Sequence, residues 1–160
     1  MMRLIGVDPG LASTGYGVVR CEGSRIVHET HGVIRTKSSE APGDRLLLIF
    51  QRIHALCDEY TPVAAGIESL FFASNVTSAL PVAQARGVVL LAFAQAGIPA
   101  SEYPPQAIKQ ALVGQGRADK HQVAEFVRLL LGMQDIPKPD HAADALAAAV
   151  CHYNTSGVHA

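Results

Sequence analysis

Three β-prone runs precede any helical periodicity, and the first of them stops on a carboxylate. Residues 3–7 (Arg3-Leu4-Ile5-Gly6-Val7) form a short apolar run, after which Asp8-Pro9-Gly10 imposes a turn through its proline and glycine. Asp8 is therefore expected at a strand's C-terminal end. Residues 14–21 and 25–34 are two further β-prone runs, separated by Glu22-Gly23-Ser24, whose glycine suits a tight hairpin. A chain that opens on a meander and only then turns helical has few layered architectures open to it.

After a polar stretch at 37–43, Leu46, Ile49, Phe50, Ile53, Leu56 and Tyr60 recur at helical spacing, and Pro62 ends that helix. Residues 63–67 make a brief apolar strand with Glu68 at its C-terminal end, ahead of a Phe-rich loop. A long helix is expected over 77–96, apolar nearly all round from Val82, and an edge strand over 98–103 before Pro104-Pro105. Short helices follow over 106–113 and 119–131, the second with Asp119 and Gln122 as a capping pair and Gly132 as its stop. An alanine-rich helix over 140–153 closes the pattern. The order β-β-β-α-β-α-β-α-α-α fits an α/β, ribonuclease-H-like fold: a mixed five-stranded sheet with helices on both faces.

The chain of 160 residues is expected to form a single ribonuclease-H-like domain over 1–160, with about 155–160 a flexible tail. Cys21, Cys57 and Cys151 lack the spacing of a zinc site or a disulfide framework, and suit a reducing compartment. The apolar segment 87–100 is broken by Gln95 and Pro99, so no membrane span and no membrane role are expected. Thirteen Lys and Arg against fourteen Asp and Glu exclude a polycation acting through overall charge. Locally the balance differs: from Arg86 to Arg128 there are five bases (Arg86, Lys109, Arg117, Lys120, Arg128) against three acids (Glu102, Asp119, Glu125).

Asp8 and Glu68 end strands, while His141 and Asp144, three apart, project from one side of the last helix. If the two strands are neighbours, these four residues can share a site. Clustered hard oxygen ligands suit two Mg²⁺ or Mn²⁺ ions, which can activate water and stabilise a leaving oxygen in phosphodiester hydrolysis. Taken singly each residue has a plain structural reading: Asp8 a turn starter, Asp144 a solvated helix residue, His141 an exposed helix-start histidine. Asp140, after Pro139, is expected to be an N-cap.

The segments Ile5-Gly6-Val7-Asp8-Pro9-Gly10, Thr14-Gly15-Tyr16-Gly17, Ile67-Glu68-Ser69 with Phe71 and Asn75, and Gln84-Ala85-Arg86-Gly87 resemble RuvC-type Holliday-junction resolvases. The likeness continues through Pro104-Pro105, Ile108-Lys109-Gln110, Val113-Gly114, Gly116, Lys120 and Ala142-Ala143-Asp144-Ala145-Leu146-Ala147, in order along the chain. It implies a dimeric, metal-dependent endonuclease of ribonuclease-H-like fold that cuts four-way DNA junctions in recombination and repair and leaves ligatable nicks. It implies metal ligation by Asp8, Glu68 and Asp144 and aligns His141 with the fourth position, where many relatives carry aspartate. It places Lys109 and Lys120 near the reacting phosphate, with Lys120 in a catalytic role. It implies Phe71 as the aromatic that stacks at the junction centre, with Phe72 expected to pack inward. Arg86 and Arg117 are added as phosphate contacts. Expected cofactors are Mg²⁺ or Mn²⁺, two per site, and the imidazole favours Mn²⁺. Expected partners are four-way junction DNA, a second copy of the chain as a homodimer burying the 82–96 helix, and the Ruv branch-migration complex. The implied location is the bacterial cytoplasm, with the nucleoid.

Three other readings bear on the same residues. A sugar-kinase-like phosphotransferase shares the opening hairpin but needs a second half that this length does not hold. A catalytically silent junction adaptor would draw support from His141 alone. A ribonuclease-H-like RNA-processing nuclease shares the metal residues, and the Phe71 loop and two lysines favour the junction enzyme.

Overall fold

The computed structural model describes residues 1–69 and 76–157, so the Phe71 and Phe72 of the expected stacking loop lie outside the described residues. Elements run β1 (Met2–Asp8), β2 (Ser13–Glu22), β3 (Arg25–Arg35), α1 (Pro42–Tyr60), β4 (Ala64–Glu68), α2 (Val76–Gln95), β5 (Ala100–Tyr103), α3 (Pro105–Val113), α4 (Lys120–Leu130) and α5 (Asp140–Ser156). The sheet order is β3-β2-β1-β4-β5, with β1 to β3 an antiparallel meander and β1, β4 and β5 parallel. This is the mixed five-stranded sheet that the alternation of apolar periods predicts, with helices on both faces.

Boundaries differ where one residue outweighs the hydrophobic period. Helix α1 starts at Pro42, earlier than its first periodic leucine, because proline's fixed φ suits the first helical position. It ends at Thr61, whose φ of 45° lets its N–H reach the Cys57 carbonyl at 2.9 Å just before Pro62. Asp119 and Gln122 form the expected capping box of α4. Gly132, at φ 67°, closes that helix with Met133 N–H on the Arg128 carbonyl (2.9 Å) and its own N–H on that of Leu129 (3.3 Å). Asp140 is not the expected N-cap: Pro139 occupies that position without a side-chain cap, and Asp140 is the first helical residue, where its charge meets the positive end of the helix dipole. Thr155 and Ser156, expected in a tail, instead form the last turn of α5, with their hydroxyls bonded back to the Cys151 and His152 carbonyls.

One face of the sheet is covered by α1 and α2 through large side chains, among them Ile5, Val7, Ile49, Ile53, Ile67, Val89 and Phe93, all fully buried. Residues Thr77–Gln95 of α2 are long and apolar enough to cross a membrane by length and composition, contrary to the expectation from the broken 87–100 segment. Yet Ala85, Val89, Ala92 and Phe93 of that helix are fully buried beneath the sheet. The other face is covered by α5 through small residues, Ala142, Ala145, Ala148 and Ala149 among them. There Gly6 and Gly15 are required by space: a Cβ on Gly6 would collide with the Ala145 carbonyl oxygen, and one on Gly15 with that of His141. Alanine against glycine lets α5 lie almost backbone to backbone on β1 and β2, which sets the height of its N-terminal turn over the strand ends.

Candidate active site

Parallel pairing of Val7 with Ile67 brings the ends of β1 and β4 side by side, so Asp8 and Glu68 project next to each other from the face that α5 covers. The turn after Asp8 is fixed by the buried Thr14, whose hydroxyl donates to the Gly10 carbonyl (2.6 Å) and accepts from the Gly10 N–H (3.2 Å). Helix α5 then brings His141 and Asp144 over this pair. The His141 Nδ1 lies 2.9 Å from Asp8 Oδ2, and one ligand atom each from Asp8, His141 and Asp144 fall within 4.8 Å of one another. A donating Nδ1 leaves Nε2 with a free lone pair, available to a metal or a proton. Asp8 is buried, Asp144 half-buried and His141 exposed, so the cluster opens from the sheet toward solvent.

Crowding shows in the acidities. Glu68 is pushed up to about 8, first by burial and then by the Asp8 and Asp144 charges and a hydrogen bond with Asp8. Asp144 is pushed up to about 6, again first by burial and then by Asp8, with Lys120 and His141 opposing and Asp140 adding to the rise. The Lys120 Nζ lies 4.0 Å from Asp144 Oδ2. Two carboxylates that hold protons this tightly, Glu68 and Asp144, with Asp8 and an imidazole beside them, suit a hard divalent cation, which would relieve both the desolvation and the mutual repulsion.

These residues rim a cavity of about 390 Å³, and Lys109 and Lys120 reach it from α3 and α4. Apolar residues also line it: Val82, Pro105, Ile108, Val123 and Ala147. The expected phosphate-binding arginines lie elsewhere. Arg86 is held by both oxygens of Glu102, its Nη2 at 2.7 Å from Oε2, and Arg117 is exposed and does not line the cavity. Asp140 stands beside Asp144 and Lys120 in a small cleft at the rim, outside the ligand cluster. A larger groove of about 1120 Å³ lies over the β2–β3 flank, but it carries one carboxylate, Asp135, and its Arg20 and Arg128 are engaged by Glu22 and Glu125.

Sequence reasoning missed a strut behind Glu68. Tyr103 pairs with Glu68 in the β4–β5 ladder, accepts the Ser69 N–H on its carbonyl (2.8 Å), and places its hydroxyl 2.7 Å from Nδ1 of the buried His152 on α5. The Thr155 hydroxyl oxygen lies 3.1 Å from the same Tyr103 hydroxyl. The strand end that carries Glu68 is thus tied to the helix that carries Asp144. No spacing could have signalled it, since Tyr103 and His152 are 49 residues apart.

The family described as crossover junction endodeoxyribonuclease RuvC matches residues 4–152. The protein of that name from Treponema denticola is 50% identical over 155 residues, covering 97% of this chain and 87% of the relative. That from Heliobacterium modesticaldum is 48% identical over 159 residues and 98% of each chain. The structure of Thermus thermophilus RuvC superposes with a TM-score of 0.90 at 37% identity, covering 98% of this chain and 97% of that one. Thermus RuvC in complex with a Holliday junction substrate gives 0.93 at 36% identity, covering 98% and 95%. The fowlpox virus resolvase, at 13% identity and a TM-score of 0.61, shares the fold. With a family match across almost the whole length and relatives near half identity, the chain belongs to the RuvC family of crossover junction endodeoxyribonucleases.

Proposed function

We propose that the chain resolves four-way DNA junctions by metal-dependent phosphodiester hydrolysis at the Asp8, Glu68, Asp144 and His141 cluster. The observation that carries this reading is the meeting of two strand-end carboxylates with a histidine and a carboxylate one helical turn apart. A divalent cation held by these four residues, Mg²⁺ or Mn²⁺ and two per site, supplies Lewis-acid polarisation of the phosphate and a more nucleophilic water. Asp8 holds His141 through Nδ1, so that Nε2 faces the opening as a ligand or proton acceptor. Lys120 and Lys109 present ammonium groups to the same cavity, where they hold the phosphate and offset charge that builds on its oxygens. Water adds to phosphorus in line, the bond to the 3′ oxygen breaks, and that oxygen takes up a proton. The products carry a 5′ phosphate and a 3′ hydroxyl, which ligase can join.

Resolution needs equivalent cuts on two strands, which a twofold dimer supplies. The exposed stripe of Leu80, Gly87 and Leu91 on α2 is the surface for it, with no neighbour within 4 Å of a Cβ built on Gly87. Arg117 adds a phosphate contact outside the cavity, Phe71 the stacking aromatic, and the Ruv branch-migration complex of the bacterial cytoplasm is the cellular partner.

The test is strand cleavage of a synthetic mobile four-way junction, beside linear duplex and structured RNA, in Mg²⁺ or Mn²⁺. Symmetric, ligatable nicks confined to the junction are expected, falling below detection in Asp8→Asn. Junction binding without cleavage would point to an adaptor, and cleavage of RNA alone to a processing nuclease.

A further inference from the structure

Away from the catalytic cavity, two histidines meet where a regular strand would keep them apart. His28 and His31 of β3 are three residues apart, and alternation along a strand sends such a pair to opposite faces of the sheet. Here Val19 pairs with His28 and Val18 with Thr30, so Glu29 is an extra residue on β3, a bulge that shifts the alternation by one place. Both imidazoles then fall on one side, with His28 Nε2 2.7 Å from His31 Nδ1, the ring centroids 4.8 Å apart and the planes at 61°. The bulge is tied to its neighbours: Glu29 accepts from Arg3 Nε at 2.6 Å, and the His28 N–H reaches the carbonyl of Leu131, the residue that ends α4, at 3.3 Å.

The pair lines the groove of about 1120 Å³ over the β2–β3 flank, and both residues are half-buried. The groove's arginines are engaged by Glu22 and Glu125, whereas the hydrogen bond of each imidazole is to the other ring. Such a bond needs one nitrogen with a proton and one without. Burial first, and then the charge of His31, pulls the pKa of His28 below the ordinary imidazole value, which favours its neutral form. Neutral imidazole nitrogens are ligands for Cu²⁺, Ni²⁺ and Zn²⁺. With metal–nitrogen bonds of about 2.0–2.1 Å, two such nitrogens stand about 2.9 Å apart at a right angle and about 3.3 Å apart at the tetrahedral angle. The 2.7 Å between His28 and His31 is nearer the first, the tetragonal arrangement that Cu²⁺ and Ni²⁺ adopt. Among the described residues only Asp8, His141 and Asp144 bring three ligand atoms within 4.8 Å of one another, so at this pair the protein supplies two ligands and water the rest.

We propose that His28 and His31 form a second metal site, which takes Cu²⁺ or Ni²⁺ through His28 Nε2 and His31 Nδ1. The ion enters between the two nitrogens, and the proton that lay there moves to the outer nitrogen of its own ring, so both rings stay neutral. The groove shares no lining residue with the catalytic cavity, and the two sites are filled independently. Because the ligands flank Glu29, the bound ion clamps β3 at its bulge, the place where its register on β2 shifts.

The test counts imidazoles on copper. The untagged full chain carrying His141→Ala, which takes the imidazole out of the catalytic cluster, is stripped of metal and given less than one equivalent of Cu²⁺. Pulsed EPR is expected to show two imidazoles on the copper. Adding His28→Gln or His31→Gln is expected to leave at most one and to weaken Cu²⁺ binding at least tenfold. A measurement that needs neither of these substitutions supports the same assignment: in His141→Ala, Cu²⁺ should broaden the ring resonances of His28 and His31 before those of His54 and His121. One imidazole or none in His141→Ala would overturn the site, as would earlier broadening of His54 or His121. Two imidazoles that persist in both double variants would overturn it too, by placing the copper on other histidines.

Discussion

The two faces of the sheet are packed by opposite means. On the α1–α2 face, large side chains interlock and hold the helices away from the strands, while α2 keeps Leu80 and Leu91 exposed on its outer side. On the α5 face, glycine meets alanine and the helix backbone touches the strand backbone. Branched side chains can repack around a change, but two backbones in contact have nothing to move. The face built without tolerance is the one that carries His141 and Asp144, so the position of the site is set by the least adjustable packing in the molecule.

The sharpest way to break this contrast is Gly6→Val. Its side chain would meet the Ala145 carbonyl and the Ala149 N–H, so it must lift α5 bodily. A loss well above the usual overpacking cost of about 1–3 kcal/mol is expected, with metal binding lost as well. Ile53→Leu on the opposite face should cost less than about 1.5 kcal/mol and leave cleavage intact. Urea unfolding of the two variants, beside a metal titration, checks the difference. Similar losses on both faces would refute it.

The next effect is on pH. Glu68 binds its proton in the folded chain up to about 8 against an ordinary 4.5, and Asp144 up to about 6 against 3.8. Between those limits the unfolded chain binds fewer protons than the folded one, so the stability of the metal-free protein falls as pH rises from about 4 to about 8. Melting in EDTA should show a lower Tm at pH 8 than at pH 5, and added Mg²⁺ or Mn²⁺ should raise Tm more at pH 8. A metal-free Tm that climbs over this range would contradict the crowding.

A smaller effect is expected from Tyr103→Phe, which deletes the hydroxyl between β5 and α5 and leaves the Nδ1 of buried His152 unpaired. The cost should be about 1–3 kcal/mol, and the metal concentration for half-maximal cleavage should rise because Glu68 and Asp144 lose their common brace. The smallest change in chain stability, within about 0.5 kcal/mol, is expected for Leu91→Lys on the exposed stripe of α2. If the proposed dimer forms through this stripe, sedimentation should nevertheless show that variant as a monomer at concentrations where the parent sediments as a dimer.

Much of the site was legible because its residues sit where local rules act. Asp8 precedes Pro9-Gly10, Glu68 ends a short apolar run, and His141 and Asp144 are spaced for one helical face. Each of these is a statement about neighbours in sequence. Resemblance to a family joined them before any strand pairing was known. Arg86 shows where that reading thins: its basic charge was visible, but its capture by Glu102, 16 residues on, depends on how α2 and β5 lie together. The Asp140 cap was misread for a local reason, since Pro139 takes the cap position and moves the aspartate one place into the helix.

By itself the sequence determined the element order, the turn chemistry, the capping of α4 and the four candidate ligand positions, because periodicity, proline, glycine and helical spacing act over a few residues. The pairing of β1 with β4, the acidity that Glu68 gains from burial beside Asp8, the Tyr103–His152 strut and the apolar lining that the cavity gains from α2, α3, α4 and α5 were decided only in the tertiary structure. Each of those depends on the distance between groups far apart in the chain, which local periodicity and turn chemistry do not encode.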